Sequence, residues 1–186
     1  MSAQDTVQMR DRDRQNREGL SSPEPSGLTW ELKVATEADV EPTVARLSGH
    51  MNDQQRAAFR DKLQRYVRKP DRDVILALSG DQIVGFLAVI EEAEVPETLP
   101  TSIIQRLLPL ASCTNLLVHP DHRRQGIGSS LFRRCEQWAR ERGRSGCWLI
   151  THRMASWYER HFGYEYVAEI RMKGPEKTVM VKSFVR

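Results

Sequence analysis

Two arginines, a glutamine and a spaced pair of glycines crowd into the run His119-Pro120-Asp121-His122-Arg123-Arg124-Gln125-Gly126-Ile127-Gly128-Ser129-Ser130. An apolar stretch precedes the run and an amphipathic one follows, so it stands where a strand turns into a helix. Amide N–H groups in the first turn of a helix lack an internal acceptor, and the helix dipole makes that end positive. A junction of this kind binds anions, phosphates above all. Gly126 and Gly128 keep Cβ atoms out of the path of a ligand approaching the backbone. Arg123 and Arg124 add charge beside it.

Two other phosphate-binding signatures fail on spacing. A P-loop needs lysine and Ser/Thr after its second glycine, and this loop has no lysine. A dinucleotide fingerprint needs a third glycine where Leu131 stands and must follow its strand directly, whereas "HPDHR" intervenes. Cys113, Cys135 and Cys147 are odd in number, lack C-x-x-C spacing and sit in apolar runs, which reads as reduced core thiols rather than disulfides or zinc ligands. His119 and His122, with His152 and His161 further on, complete no recognisable ligand set, so no metal is expected.

The elements around the loop follow from periodicity. Residues 1–27 are a mixed-charge and Ser/Pro-rich run with little apolar surface to bury, expected to be a disordered tail before a domain over residues 28–186. Leu28, Trp30, Leu32 and Val34 alternate as a half-buried strand, and Thr36 stands where a capped helix begins. A second helix is expected from Asp53 to about Arg68. "DVILALSGDQIVGFLAVIEE" is a hairpin turning at Ser79-Gly80-Asp81, and "LASCTNLLV" a fourth strand. Residues 93–109 form an irregular connection with a turn or two of helix, the length of a binding loop or lid. Ile127, Leu131, Cys135, Trp138 and Ala139 recur on one helical face. "GCWLIT" is a fifth strand, "MASWYERHF" a short helix, and a last hairpin turns at Gly174-Pro175.

At 186 residues and 39% hydrophobic content the chain supports one core. It has no apolar run long enough to span a membrane and no signal-peptide core, so a cytoplasmic protein without membrane attachment is expected. A net charge of +3 is too small to imply nucleic acid, although positive charge concentrates between Arg123 and Arg144.

"NLLVHPDHRRQGIGSSLF" resembles the central motif of the GNAT N-acetyltransferase superfamily. Arg123, Gly126 and Gly128 meet its [QR]-x-x-G-x-[GA] pattern, and a strand ending in V-x-P precedes them. "THRMASWYERHFGYEYV" is similar to the family's later motif, a tyrosine on a short helix shortly before a G-[FY] pair, here Gly163-Tyr164. The likeness spans roughly residues 28 to 186. It implies an α+β fold, an α/β/α sandwich: a mixed, mostly antiparallel sheet with helices on both faces and strands four and five parallel and splayed. It further implies acetyl-CoA as co-substrate, transferred directly to a primary amine in a ternary complex.

By the same resemblance the amides of Arg124 to Ser129, hence Arg124, Gln125, Gly126, Ile127, Gly128 and Ser129, grip the pyrophosphate with Arg123 alongside. Leu116, Leu117 and Val118 pair through their backbones with pantetheine, and Tyr158 is the general acid that serves the departing thiolate. Two positions depart from the pattern. Ser112 stands near where many relatives carry a glutamate, leaving Glu91, Glu92 or Glu94 as sources of a base. Thr151 stands where many have an asparagine that contacts pantetheine. The acceptor and a homodimer stay open, and the 93–109 connection is expected to choose the acceptor. An acyl-CoA-binding module without turnover is the alternative, and a nucleic-acid-binding basic helix a more distant one.

Overall fold

The computed structural model describes residues 30–171 and 174–184. The expected tail, Leu28 and the proposed boundary at residue 28 lie outside them. Seven strands form one sheet in the order β1-β2-β3-β4-β5-β7-β6. They are β1 (Glu31–Val34), β2 (Arg72–Ser79), β3 (Gln82–Ile90), β4 (Ala111–Val118), β5 (Gly146–Thr151), β6 (Glu165–Ile170) and β7 (Lys177–Ser183). Every neighbouring pair is antiparallel except β4 and β5.

Five helices cover the sheet: α1 (Val40–Leu47), α2 (Asp53–Val67), α3 (Thr101–Leu107), α4 (Ile127–Glu141) and α5 (Ala155–Phe162). Period-two alternation in the strands assigns them to faces. Ile75 and Ala77 of β2, Val84 and Leu87 of β3 and Cys147 and Leu149 of β5 pack with α4 and α5. Val74 and Leu76 point the other way and pack with Val40, Val44 and Leu47 of α1 and Leu63 and Tyr66 of α2. A third cluster joins Leu107 of α3 to Trp148, Val179 and Val181.

Local chemistry agrees with these limits. Asn52 accepts from the Gln55 amide at 2.9 Å while the Gln55 side chain accepts from the Asn52 amide at 3.0 Å, a reciprocal cap that starts α2. Thr36 opens a 3-10 turn, Glu37–Asp39, rather than α1 itself. Val34 is 41% exposed, so the expected alternation of β1 stops short of it. The reason is its place on an edge strand that pairs with β2 alone.

The connection over residues 93–109 carries the expected short helix, α3, and its first residues, Ala93 and Glu94, line a cavity. Leu99, Leu107 and Leu110 are buried under Trp148, Val179 and Val181. These anchors hold the segment on the sheet face that α1 and α2 leave open, while most of its other residues are exposed or half-exposed. No helix among the described residues is long and apolar enough to cross a membrane.

Gly146 opens β5 against β7. A Cβ there would run into the Lys182 carbonyl and sit 3.0 Å from Leu110 Cδ2. Gly146→Ala should therefore destabilise the chain by about 2 kcal/mol through overpacking, read as a lower urea midpoint at unchanged slope.

Candidate functional site

The site begins with a backbone irregularity in β4. Ala88, Val89 and Ile90 of β3 pair in step with Thr114, Cys113 and Ser112, and then the register shifts before Phe86 meets Leu117 and Gly85 meets Val118. The extra residue is taken up at Asn115, whose φ of 58° is left-handed. Asparagine tolerates that conformation better than other branched residues. Its side chain is also held from α2: Lys62 Nζ donates to Oδ1 at 2.9 Å, and Nδ2 donates to Tyr66 Oη at 3.4 Å.

The bulge redirects β4 away from β5. The two strands pair only at Ala111 with Cys147 and Ser112 with Trp148, and then part. β4 is buried through Cys113 and half-exposed from Thr114 onward. Beyond the split Leu116, Leu117 and Val118 keep β3 on one edge, while the other edge faces a cleft and has no strand to pair with. That cleft is lined by Leu87, Cys113, Leu116, Thr151, Met154 and Tyr158, among others.

At the outer end of the cleft lies the glycine loop. Gly126 caps α4 with φ 85° and Arg124 has φ 61°, so the chain reverses twice in three residues. The first intrahelical bond there runs from Ser130 N to Gly126 O, and the amides of Arg124 to Ser129 donate to no backbone carbonyl of the described residues. No side chain caps the helix. These unspent donors face a cavity of about 440 Å³ lined by Leu116, Val118, Arg123, Gly128, Ser129 and Tyr158, among others. A Cβ at Gly128 would meet nothing nearer than Val118 Cγ2 at 3.8 Å, so its absence leaves open room on the ligand side.

Side chains of the loop divide by role. Arg123 Nε donates to the Val118 carbonyl at 3.2 Å, which ties the loop to the strand end. Arg124 is exposed on the cavity wall. Gln125 Nε2 donates to the Asp121 carbonyl at 3.3 Å, and Gln125, unlike its neighbours in the loop, does not line the cavity. Thr151 lies deeper, lining the cleft and accepting from the Met154 amide at 3.2 Å.

Tyr158 sits on α5 where loop cavity and cleft meet. Its ring packs on Trp157 at 4.9 Å and Phe132 at 5.0 Å. Burial, reinforced by the Cys113 and Cys135 thiols, pushes its hydroxyl up to about 12.

Past the split, a second cavity of about 390 Å³ opens between α2 and β5, lined by Tyr66, Arg72, Glu92, Glu94, Ser112 and Trp148, among others. The three glutamates differ in place, although Glu92 shares Arg144 with Glu91, at 3.3 Å. Glu91 is tied to Arg144 at 2.8 Å and Arg142 at 3.3 Å and does not line this cavity. Glu92 and Glu94 do. The arginines after Arg133 are largely spent on the fold: Arg134 pairs with Glu141 at 3.1 Å, Arg140 stacks on Phe184 at 3.8 Å, and Arg142 on Trp138 at 4.6 Å. Sequence reasoning passed over Asn115; the signal was a lone asparagine between apolar residues of a strand.

A sheet split between parallel strands, with free amides at the mouth of the split, gives an α/β/α sandwich with a central cleft. Among solved structures the chain is similar to an aminoglycoside 6'-acetyltransferase type Ii, at TM-score 0.66 and 16% identity over 84% of this chain and 98% of that one. It is also similar to the PaiA N-acetyltransferase of Thermoplasma acidophilum in complex with coenzyme A, at TM-score 0.60 and 14% identity over 84% and 100%. An acetyltransferase from Thermus thermophilus matches at TM-score 0.60 and 21% identity over 84% and 98%. No curated protein matches. The model of the acetyltransferase (GNAT) family matches residues 37–164, and the chain belongs to that family.

Asn115→Val should cost about 1–2 kcal/mol, the penalty of a left-handed β-branched residue, whereas Asn115→Gly should cost less because glycine accepts the bulge. Equal losses in paired urea melts would show that the bulge does not depend on the left-handed turn.

Proposed function

We propose that the chain is an N-acetyltransferase that moves an acetyl group from acetyl-CoA to a primary amine within one ternary complex. The observation that carries this reading is the row of unspent amides from Arg124 to Ser129 at the mouth of a cleft whose wall is an unpaired strand edge. A diphosphate needs such donors, and an amide-bearing arm needs such an edge. Arg123, Arg124, Gln125, Gly126, Ile127, Gly128 and Ser129 would hold the pyrophosphate. Leu116, Leu117 and Val118, with Thr151 opposite, would hold the arm. When bound, acetyl-CoA supplies an activated thioester.

The chain's own residues then have three tasks. Glu92 or Glu94, in the cavity beyond the split, takes a proton from the incoming ammonium, directly or through water. This step is required because an amine of pKa about 10.4 is almost wholly protonated at neutral pH. The nitrogen–carbon bond forms, the carbon–sulfur bond breaks with its electron pair leaving on sulfur, and the acylated nitrogen releases its second proton to solvent. Tyr158, kept protonated by its buried position, donates its proton to that sulfur and recovers one from solvent. A cavity on each side of the same gap, one suited to the thioester and one to the amine, supports direct transfer without an acyl-enzyme. The three unbridged thiols are compatible with a cytoplasmic setting.

Release of CoA from acetyl-CoA over a panel of primary amines tests the reading. Turnover of at least one amine is expected; loop-dependent binding with no turnover would leave a binding module. Gly128→Glu should abolish acetyl-CoA binding in isothermal titration while the circular dichroism spectrum is unchanged, because the added carboxylate fills the anion position. Tyr158→Phe should lower kcat about a hundredfold with little change in acetyl-CoA affinity; wild-type kcat in that variant would remove the acid role.

A further inference from the structure

All three cysteines of the chain meet at one point. Cys113 comes from β4, Cys135 from α4 and Cys147 from β5, and their sulfurs lie within 4.8 Å of one another. The Cys113 and Cys135 sulfurs are 2.6 Å apart. All three are buried and unbridged. Neither the anion loop nor the transfer chemistry needs them.

A single core thiol behaves as a small apolar group. Convergence of three from three separate elements places sulfur lone pairs against one another, where a methyl group would pack as well without them. A metal held by three thiolates at about 2.3 Å requires sulfurs about 4.0 Å apart in a trigonal plane. The longest side of the triangle of sulfurs, at most 4.8 Å, brackets that separation, while the Cys113–Cys135 side is shorter than it and would have to open on binding.

Two further observations bear on a ligand. The Tyr164 hydroxyl is buried with no hydrogen-bond partner, and its residue is 1% exposed. It lies beside Cys147, where a phenol can donate to a metal-bound sulfur and fix its orientation. Access exists as well, since Cys113 forms wall in both the cleft and the cavity beyond the split.

We infer that Cys113, Cys135 and Cys147 form a trithiolate site for a soft d10 metal ion, with Tyr164 as outer hydrogen-bond donor. Sulfur ligands select zinc-group ions and Cu(I) over magnesium or calcium. Binding replaces three S–H bonds by three metal–sulfur bonds, sends three protons to solvent and transfers no electrons. An occupied site would tie β4, β5 and α4 together where the sheet splits. This inference stands apart from acetyl transfer and survives its failure.

The test uses the full chain, kept reduced by a non-thiol reductant, without acetyl-CoA. Cd(II) is titrated while the thiolate-to-cadmium charge-transfer band in the near ultraviolet is followed, and Cu(I) is added in a second arm against a competing chelator. Saturation at one ion per chain is expected in at least one arm; the arm that saturates more tightly identifies the ion class. Cys113→Ser, Cys135→Ser and Cys147→Ser should each weaken binding more than about a hundredfold, and Tyr164→Phe, which keeps every thiol, about tenfold. Absence of one-ion saturation in both arms overturns the inference, as does a charge-transfer band that persists in folded serine variants. If the serine variants do not fold, unchanged affinity in Tyr164→Phe overturns the assigned geometry. Formation of a Cys113–Cys135 disulfide on oxidation, with no ion taken up by the reduced chain, would make the cluster a redox pair instead.

Discussion

The site depends on β4 leaving β5. Two paired positions hold the strands together and then the pairing stops, so a sheet that is continuous elsewhere carries a gap in its middle. Unpaired strand edges are ordinarily a liability, because bare N–H and C=O groups seek partners. Here the edge lies inside the fold, reached only through a cleft.

What keeps the gap open is distributed over both faces. On one side Asn115 absorbs an extra residue in a left-handed turn, anchored by Lys62 and Tyr66 of α2. On the other, α4 starts from Gly126 and crosses β3 at Gly85, where a Cβ would crowd the Leu117 carbonyl at 3.1 Å and Ile127 at 3.3 Å. Past its middle α4 is tied to the sheet by a partly buried pair, Glu136 with Lys182 of β7 at 2.9 Å. Burial raises the Glu136 pKa in spite of that partner, as expected for a carboxyl in an apolar layer. The helix is thus seated against β3 at its start and tied to β7 past its middle.

The positive charge concentrated after Arg123 has a structural explanation. Arg142 and Arg144 clasp Glu91 at the end of β3, and Arg142 and Arg140 lie on aromatic rings. Such contacts combine ion pairing with coverage of apolar surface. Counting charges along the sequence made this run look like a surface for a polyanion, whereas contact by contact most of it is engaged with the protein itself.

Much of the fold was legible in the chain. Alternation marked the strands, three-and-four spacing marked α4, and the glycine spacing with its arginines marked an anion loop, because these patterns arise within a few residues of one another. Tertiary structure decided what depends on distant partners. It turned the 93–109 connection into packed sheet cover, since its leucines find Trp148 and Val181 only after the sheet has formed. It made Asn115 a pivot through contacts with a helix far away in sequence, and it separated Glu91 from Glu92 and Glu94. It also gathered Cys113, Cys135 and Cys147, whose spacing along the chain bears no mark of their meeting. Local order follows from local energetics, and the convergence of remote side chains follows from the packing of the whole core.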